Sequence, residues 1–315
     1  MNKTNISIVC PVYKEQEVIE NFYNELKKSE NNSNFQIVKV IFVIDPSNDK
    51  TYDILKKISI SDQNVEVILL SRRFGHQNSL YCGIKQVKNS DATIMMDSDL
   101  QHPPEFINKL VEKYQQGYDI VNTKRIFSKD VGFLNRITSN LFYKIFRKVT
   151  KLPLEQYAAD FRLISETVRS KIVENFLENK IFLRGIISWI GYNQALIEYK
   201  ANERNQGQSK FNTWTRLIFG FNSIFSFSSF PIILCIYFGL FTSALAFLIG
   251  IFHIIIFFLF ESIPNGWTTL VTLLTFFSGI IIFFLGIIGR YISLIFEEVK
   301  RRPLYIIKNH HNKNN

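Results

Sequence analysis

Asp97 and Asp99 stand one residue apart at the end of a short apolar run, Ala92-Thr-Ile-Met-Met, with Gln101 two residues on and Pro103-Pro104 just beyond. Carboxylates this close repel each other and lose hydration, and a cation relieves both costs. Hard oxygen donors select Mg2+ or Mn2+, which also accept phosphate oxygens. Gln101 would supply a third oxygen to such an ion. An isolated Asp-Ser-Asp reads more readily as a solvated turn, but the surroundings decide otherwise. The apolar run has the composition of a buried strand, and a double proline forbids its continuation. The carboxylates therefore fall at the carboxyl end of a core strand, where open α/β sheets place their ligands.

The elements that must carry these groups follow from periodicity. Short β-type runs at 6–9, 38–44, 65–70, 92–96 and 120–122 alternate with helical spacing at 15–28, 51–58, 77–87 and 104–116. Strands alternating with helices imply a mostly parallel, Rossmann-like sheet covered on both faces. An amphipathic helix is expected over 131–149, and a second mixed region runs from 152 to 200. Residues 213–230, rich in Phe and Ser, suit a helix lying in a membrane interface, with an ordinary amphipathic core helix as the rival. The polar residues 310–315 are expected to be unstructured.

Charge is unevenly spread. Residues 231–260 contain no Asp, Glu, Lys or Arg, and 267–289 are almost as apolar, with Pro264 and Gly266 in the short polar turn between them. As a helix the first run would measure roughly 45 Å, more than the roughly 30 Å of a bilayer core. Two spans in a hairpin are expected. Lys210 and Arg216 precede them and Arg290, Lys300, Arg301 and Arg302 follow, whereas the turn offers only Glu261. The positive-inside rule then places both flanks in the cytoplasm.

This divides the 315 residues into a large N-terminal domain (1–212), an interfacial segment (213–230), a hairpin (231–295) and a basic cytoplasmic tail (296–315). The net charge of +10 suits anionic lipid better than nucleic acid, for which no motif is present, so no nucleic-acid partner is expected. Cys10, Cys82 and Cys235 form no metal-ligand pattern and read as packing residues. The first residues lack a signal-peptide pattern.

With these segments placed, the chain resembles family-2 glycosyltransferases of the polyprenyl-phosphate branch, which includes dolichol-phosphate mannosyltransferases and bactoprenol glucosyltransferases. The markers are Pro11-Val-Tyr13-Lys-Glu15, Leu70-Ser-Arg-Arg-Phe74-Gly75-His76-Gln77, and the block from Asp97 to Glu105. Asp160-Phe-Arg162, Arg184 to Gly191, Arg204 to Phe211, Gly286 to Tyr291, and Arg302 to Tyr305 continue the series.

The resemblance implies a glycosyltransferase-A domain, followed by interfacial helices and a two-helix membrane hairpin. Its reaction would move a sugar, glucose from UDP-glucose first among the candidates, onto undecaprenyl or another polyprenyl phosphate, with inversion. It implies Mg2+ or Mn2+ as cofactor, a plasma (inner) membrane location, and a homo-oligomer or a flippase as further partners.

By this resemblance, Pro11, Tyr13 and Glu15 match a nucleotide-contacting loop and Asp45 a base contact. Asp97, Asp99 and Gln101 match the metal and diphosphate site. Arg125, Arg136 and Ser139 fall where phosphates are held, and Arg204, Ser209 and Lys210 on a loop closing over the diphosphate. Asp160 is a candidate for orienting acceptor or sugar, not for proton transfer.

Each residue also has a plainer reading: Glu15 as a helix-start carboxylate, Tyr13 as a packed tyrosine, Arg136 as a surface cation, His76 and His102 as structural. His253, inside the first span, has no assigned role. Ile44 and Pro46 flank Asp45 where the family often has an acid and a glycine, which leaves the nucleotide open among UDP-glucose, UDP-GlcNAc, UDP-galactose and GDP-mannose. Arg73 and Ala159 also depart from the family pattern. A hydroxyl acceptor and a non-catalytic scaffold remain as alternatives.

Overall fold

A computed structural model describes residues 3–31, 33–126, 149, 158–178, 181–200, 228, 230–260 and 266–312. Apart from single positions, the helix expected over 131–149 and the interfacial segment over 213–230 lie outside these residues. By its internal contacts the chain forms two compact units, Met1–Asn212 with Arg302–Asn315, and Thr213–Arg301.

The first unit begins β1 (Thr4–Val12), α1 (Ile19–Ser29), β2 (Phe35–Ile44), α2 (Thr51–Ser61), β3 (Val65–Leu70), α3 (His76–Gln86) and β4 (Ala92–Met95). A short 3-10 turn at Pro104–Phe106 leads into α4 (Ile107–Gln115) and β5 (Ile120–Ile126). Then come β6 (Ala158–Ser165), α5 (Glu166–Asn175), α6 (Leu183–Trp189) and β7 (Gln194–Lys200), and after the second unit β8 (Ile307–His311). Among the described residues these strands form one eight-stranded sheet in the order β7-β5-β6-β4-β1-β2-β3-β8.

The pairings β1–β2, β1–β4, β2–β3 and β5–β7 are parallel, while β6 is antiparallel to β4 and β5, and β8 to β3. Only β6 and β8 therefore run against the other strands, so the sheet is mixed but mostly parallel. The carboxyl ends of β1 to β5 and the start of β6 share one edge, and every described candidate site residue comes from that edge.

Alternation along β1 explains the layering. Ile6, Ile8, Cys10 and Val12 point into a core shared with Phe22 and Leu26 of α1, Leu55 of α2 and Leu110 of α4. Val9 points the other way, to a core with Leu80 and Ile84 of α3, Ile172 of α5 and Ile186 of α6. Burying both faces is the arrangement that parallel strands require. α3 approaches β1 so closely that a Cβ on Gly83 would collide with the side chain of Val9. The thiols of Cys10 and Cys82 are both fully buried in these cores. Burial pushes that of Cys82 up to about 12, as expected of packing residues.

The expectation of an unstructured tail from residue 310 is corrected. Residues His310 and His311 belong to β8, which pairs with β3 from Val67↔His311 to Leu70↔Ile307. The cause is the outer edge of β3, whose backbone N–H and C=O groups need partners. The Ser71 N–H also donates to the Ile306 carbonyl at 2.8 Å. Side chains add to this: His310 meets the buried Glu66 carboxylate, and the His311 Nε2 and the Tyr52 hydroxyl lie 2.6 Å apart. Leu304, Tyr305 and Ile307 pack against the α3-side core.

The second unit contains α7 (Phe230–Phe260) and α8 (Trp267–Val299). Both are long and apolar enough to cross a membrane, over Phe230–Ile249 and Thr269–Val299, and neither of those stretches is buried. Side chains such as Tyr237 (70% exposed) and Phe247 (69% exposed) lie uncovered on α7, and apolar surface on this scale calls for lipid or a partner. Within the unit, Phe238 and Phe284 meet edge to face at 5.6 Å, and the Tyr291 hydroxyl donates to the Ser228 carbonyl at 2.8 Å.

Candidate active site at the carboxyl edge of the sheet

β4 ends at Met95, and Asp97 and Asp99 follow where the chain leaves the sheet. The exit is kinked by Leu100, whose φ of 60° is a left-handed conformation that costs a residue with a Cβ about 1–2 kcal/mol. The Asp99 Oδ1 accepts the Gln101 N–H at 3.1 Å, closing the turn. The loop after β1 has a similar kink at Lys14 (φ 58°), beside Tyr13.

Asp97 is held from two sides. The Nε2–H of His76 donates to its Oδ1 at 2.7 Å, and its own backbone N–H donates to Nδ1 of His102 at 2.9 Å. That second bond leaves the His102 proton on Nε2, 3.8 Å from Asp97 Oδ2. His102 is buried and stacks on Phe161 with ring centroids 5.1 Å apart. Burial pushes its pKa down, against the pull of Asp97. His76 goes the other way: partial loss of water lowers it, but the Asp97 charge and hydrogen bond outweigh that and raise it to about 9. For Asp97, loss of water would raise the carboxyl, yet the two histidines bring it below the usual carboxylate range.

Asp160, near the start of the reversed strand β6, accepts a two-pronged bond from Arg184, Nε at 2.8 Å and Nη2 at 2.9 Å. Burial opposes its ionisation, but Arg184 first, then His76 and Arg162, hold it well below the carboxylate range. Arg162 is itself buried, which lowers its pKa to about 10, and it donates to the Ala159 carbonyl at 2.9 Å. His76 connects the two groups, since its Nδ1 lies 3.9 Å from Asp160 Oδ2.

The remaining expected residues sit around this centre. Arg125, from β5, donates to the Gln101 Oε1 at 2.9 Å, so that oxygen faces a guanidinium. Pro11 is within β1. Tyr13 lies under Arg73, whose guanidinium is 4.2 Å from the ring centroid. The Glu15 N–H donates to the Thr51 hydroxyl at 3.0 Å. Asp45, buried at the end of β2, accepts the N–H groups of Phe74 (3.0 Å) and Gly75 (2.9 Å). It thereby secures the loop that delivers His76. Arg136, Ser139, Arg204, Ser209 and Lys210 lie outside the described residues.

Sequence reasoning gave no site role to His76, His102, Arg184 or Arg73. The signal for His76 was present in Phe74-Gly75-His76, a glycine and histidine following a strand at the ligand-binding edge. Among the described residues no group of three or more His, Cys, Asp or Glu side chains is arranged to hold a metal. Asp97 and Asp99 nonetheless fit a hard divalent cation, as two carboxylates at one strand end that could share it with phosphate oxygens and water.

Residues 7–173 match the family model described as Glycosyl transferase family 2. The SfII prophage-derived bactoprenol glucosyl transferase of Shigella flexneri is 36% identical over 312 residues, 98% of this chain and 99% of that protein. The prophage bactoprenol glucosyl transferase homolog of Escherichia coli (strain K12) is 36% identical over 306 residues, covering 96% of this chain and 98% of its own. Among solved structures, the mannosyltransferase PcManGT from Pyrobaculum calidifontis in complex with GDP-Man and Mn2+ is 12% identical and has a TM-score of 0.49. That match covers 71% of this chain and 64% of the other. The shared sequence runs through the sheet edge that carries Asp97, Asp99 and Asp160, and on that basis the chain belongs to glycosyl transferase family 2.

Proposed function

We propose that this chain transfers glucose from UDP-glucose to a polyprenyl phosphate such as undecaprenyl phosphate, with inversion, at the cytoplasmic face of a membrane. The observation that carries the reading is 36% identity to a bactoprenol glucosyl transferase along 98% of the chain. The site agrees with it. An oxygen of the lipid phosphate attacks the anomeric carbon, the bond from that carbon to the diphosphate breaks, and UDP leaves. The nucleophile is already anionic, so no base is required. Asp160, forked by Arg184 and held below the carboxylate range, is a poor proton acceptor, which speaks against a hydroxyl acceptor activated there.

Asp97 and Asp99 would hold Mg2+ or Mn2+, which when bound would neutralise charge developing on the leaving diphosphate. Arg125 extends the positive edge on the β5 side, and Tyr13 with Arg73 offers a flat platform beside the β1 loop. Arg204, Ser209 and Lys210 would close over the diphosphate, and Arg136 and Ser139 would hold phosphate oxygens. In the membrane, the two spans would leave the sheet domain and both basic flanks on the cytoplasmic side.

The test is transfer from a panel of radiolabelled nucleotide sugars into organic-extractable undecaprenyl phosphate with Mg2+ or Mn2+. Label should enter the lipid phase from UDP-glucose, fall to background with EDTA, and drop about 100- to 1,000-fold in Asp99→Asn. Transfer from another nucleotide sugar would reassign the donor; no transfer from any donor by folded protein would overturn the reading.

A further inference from the structure

We infer that His76 is a positioning residue that orients the Asp97 carboxylate, aimed at it by a turn that Asp45 holds; this rests on the nucleotide-sugar reading above. His76 is the first residue of α3, and Gly75 before it has φ 91° and ψ 161°, a conformation almost confined to glycine. The Phe74 and Gly75 N–H groups both donate to Asp45. The turn is thus specified by the end of β2, yet its product, the imidazole, faces residues from two other strands. Nε2 contacts Asp97 after β4 at 2.7 Å, and Nδ1 lies 3.9 Å from Asp160 of β6.

A side chain 39% exposed and paired to a carboxylate could be an ordinary surface ion pair of little consequence. Three features argue otherwise. Both ring nitrogens are engaged, Nε2 by Asp97 and Nδ1 by the Gln77 amide at 3.4 Å with Asp160 just beyond; the backbone leading into the histidine takes a conformation almost confined to glycine; and a buried carboxylate is engaged in holding that backbone. His102 secures the main chain of Asp97, so His76 is left to set the side-chain torsion that decides where its oxygens point. Outer partners of ligand groups commonly change metal affinity or activity by about 10- to 100-fold.

The experiment compares wild type, His76→Ala, His76→Gln, Asp97→Asn and the double variant His76→Ala/Asp97→Asn, as full-length protein in nanodiscs. Readouts are UDP binding by calorimetry across a Mn2+ titration, kcat and donor KM for lipid glycosylation, and the thermal midpoint. His76→Ala should lower kcat about 10- to 100-fold and raise the Mn2+ needed for half-saturation, with little change in thermal midpoint. His76→Gln, whose amide can still donate to Asp97, should recover most of the loss. On the Asp97→Asn background, removing His76 should cost little more, because the two residues act as one unit. Wild-type behaviour of His76→Ala, or fully additive losses in the double variant, would overturn the inference while leaving the nucleotide-sugar reading intact. Wild-type protein that neither binds UDP with Mn2+ nor transfers sugar would sink both.

Discussion

Arg184 and Asp160 form the best-defined ion pair of the site, with two parallel hydrogen bonds and the carboxylate mostly out of water. Arg184→Met should therefore cost about 3 kcal/mol, the low end for a broken buried pair because Arg184 keeps some contact with water. The pH dependence follows from the sign of the shift. Asp160 is held below its unfolded value, so the pair stabilises the fold above the unfolded carboxyl pKa of about 4 and loses that contribution as pH falls further. The stability gap between wild type and variant should be full at pH 6–7 and shrink below about pH 4, as chemical denaturation across pH would show. At this scale the sequence was readable only where partners are neighbours in the chain. Asp97 and Asp99 announce themselves by spacing, but His76 is 21 residues from Asp97 and Arg184 is 24 from Asp160. Those contacts join the start of α3 to the end of β4, and α6 to the start of β6, elements that the fold gathers at one sheet edge and that no local pattern pairs.

At the scale of elements, the strands of the parallel core were plain from composition, since strands buried on both faces read as unbroken apolar runs. β8 was not. Its residues, Ile307-Lys-Asn-His-His311, are mostly polar because an edge strand faces water, and its pairing partner β3 is distant in the chain. Deleting residues 307–315 should expose the β3 edge and the buried Glu66. The loss of several backbone hydrogen bonds, each worth about 1 kcal/mol, should lower the thermal midpoint. An unpaired edge should also promote aggregation, so light scattering on heating would rise earlier than for the full chain. Unchanged melting and scattering would mean that β8 is only loosely attached.

For the whole molecule, the apolar helices α7 and α8 were legible as lengths of uncharged sequence, and the structure leaves their surfaces uncovered. The proposed orientation makes a direct prediction. A cysteine placed at Asn265, between the helices, should react with a membrane-impermeant maleimide added outside intact cells. One placed at Lys300 should react only after the membrane is opened. Reversed labelling would refute the cytoplasmic placement of the sheet domain. The native Cys10 and Cys82 are fully buried and should stay silent in the folded protein.

The reversed strand β8 has a consequence for how this protein is made. Its partner β3 leaves the ribosome early, whereas β8 follows both apolar helices in the chain. At ordinary synthesis rates the interval is roughly 10–50 s. Throughout it, the catalytic sheet has an open flank that nothing else in its own unit covers among the described residues. In the proposed membrane arrangement, the last strand would arrive only after the helices had been handed to the insertion machinery. Maturation of the sheet would then be chronologically tied to delivery into the bilayer, and a nascent chain stalled before that delivery would present its unfinished flank to chaperones and proteases.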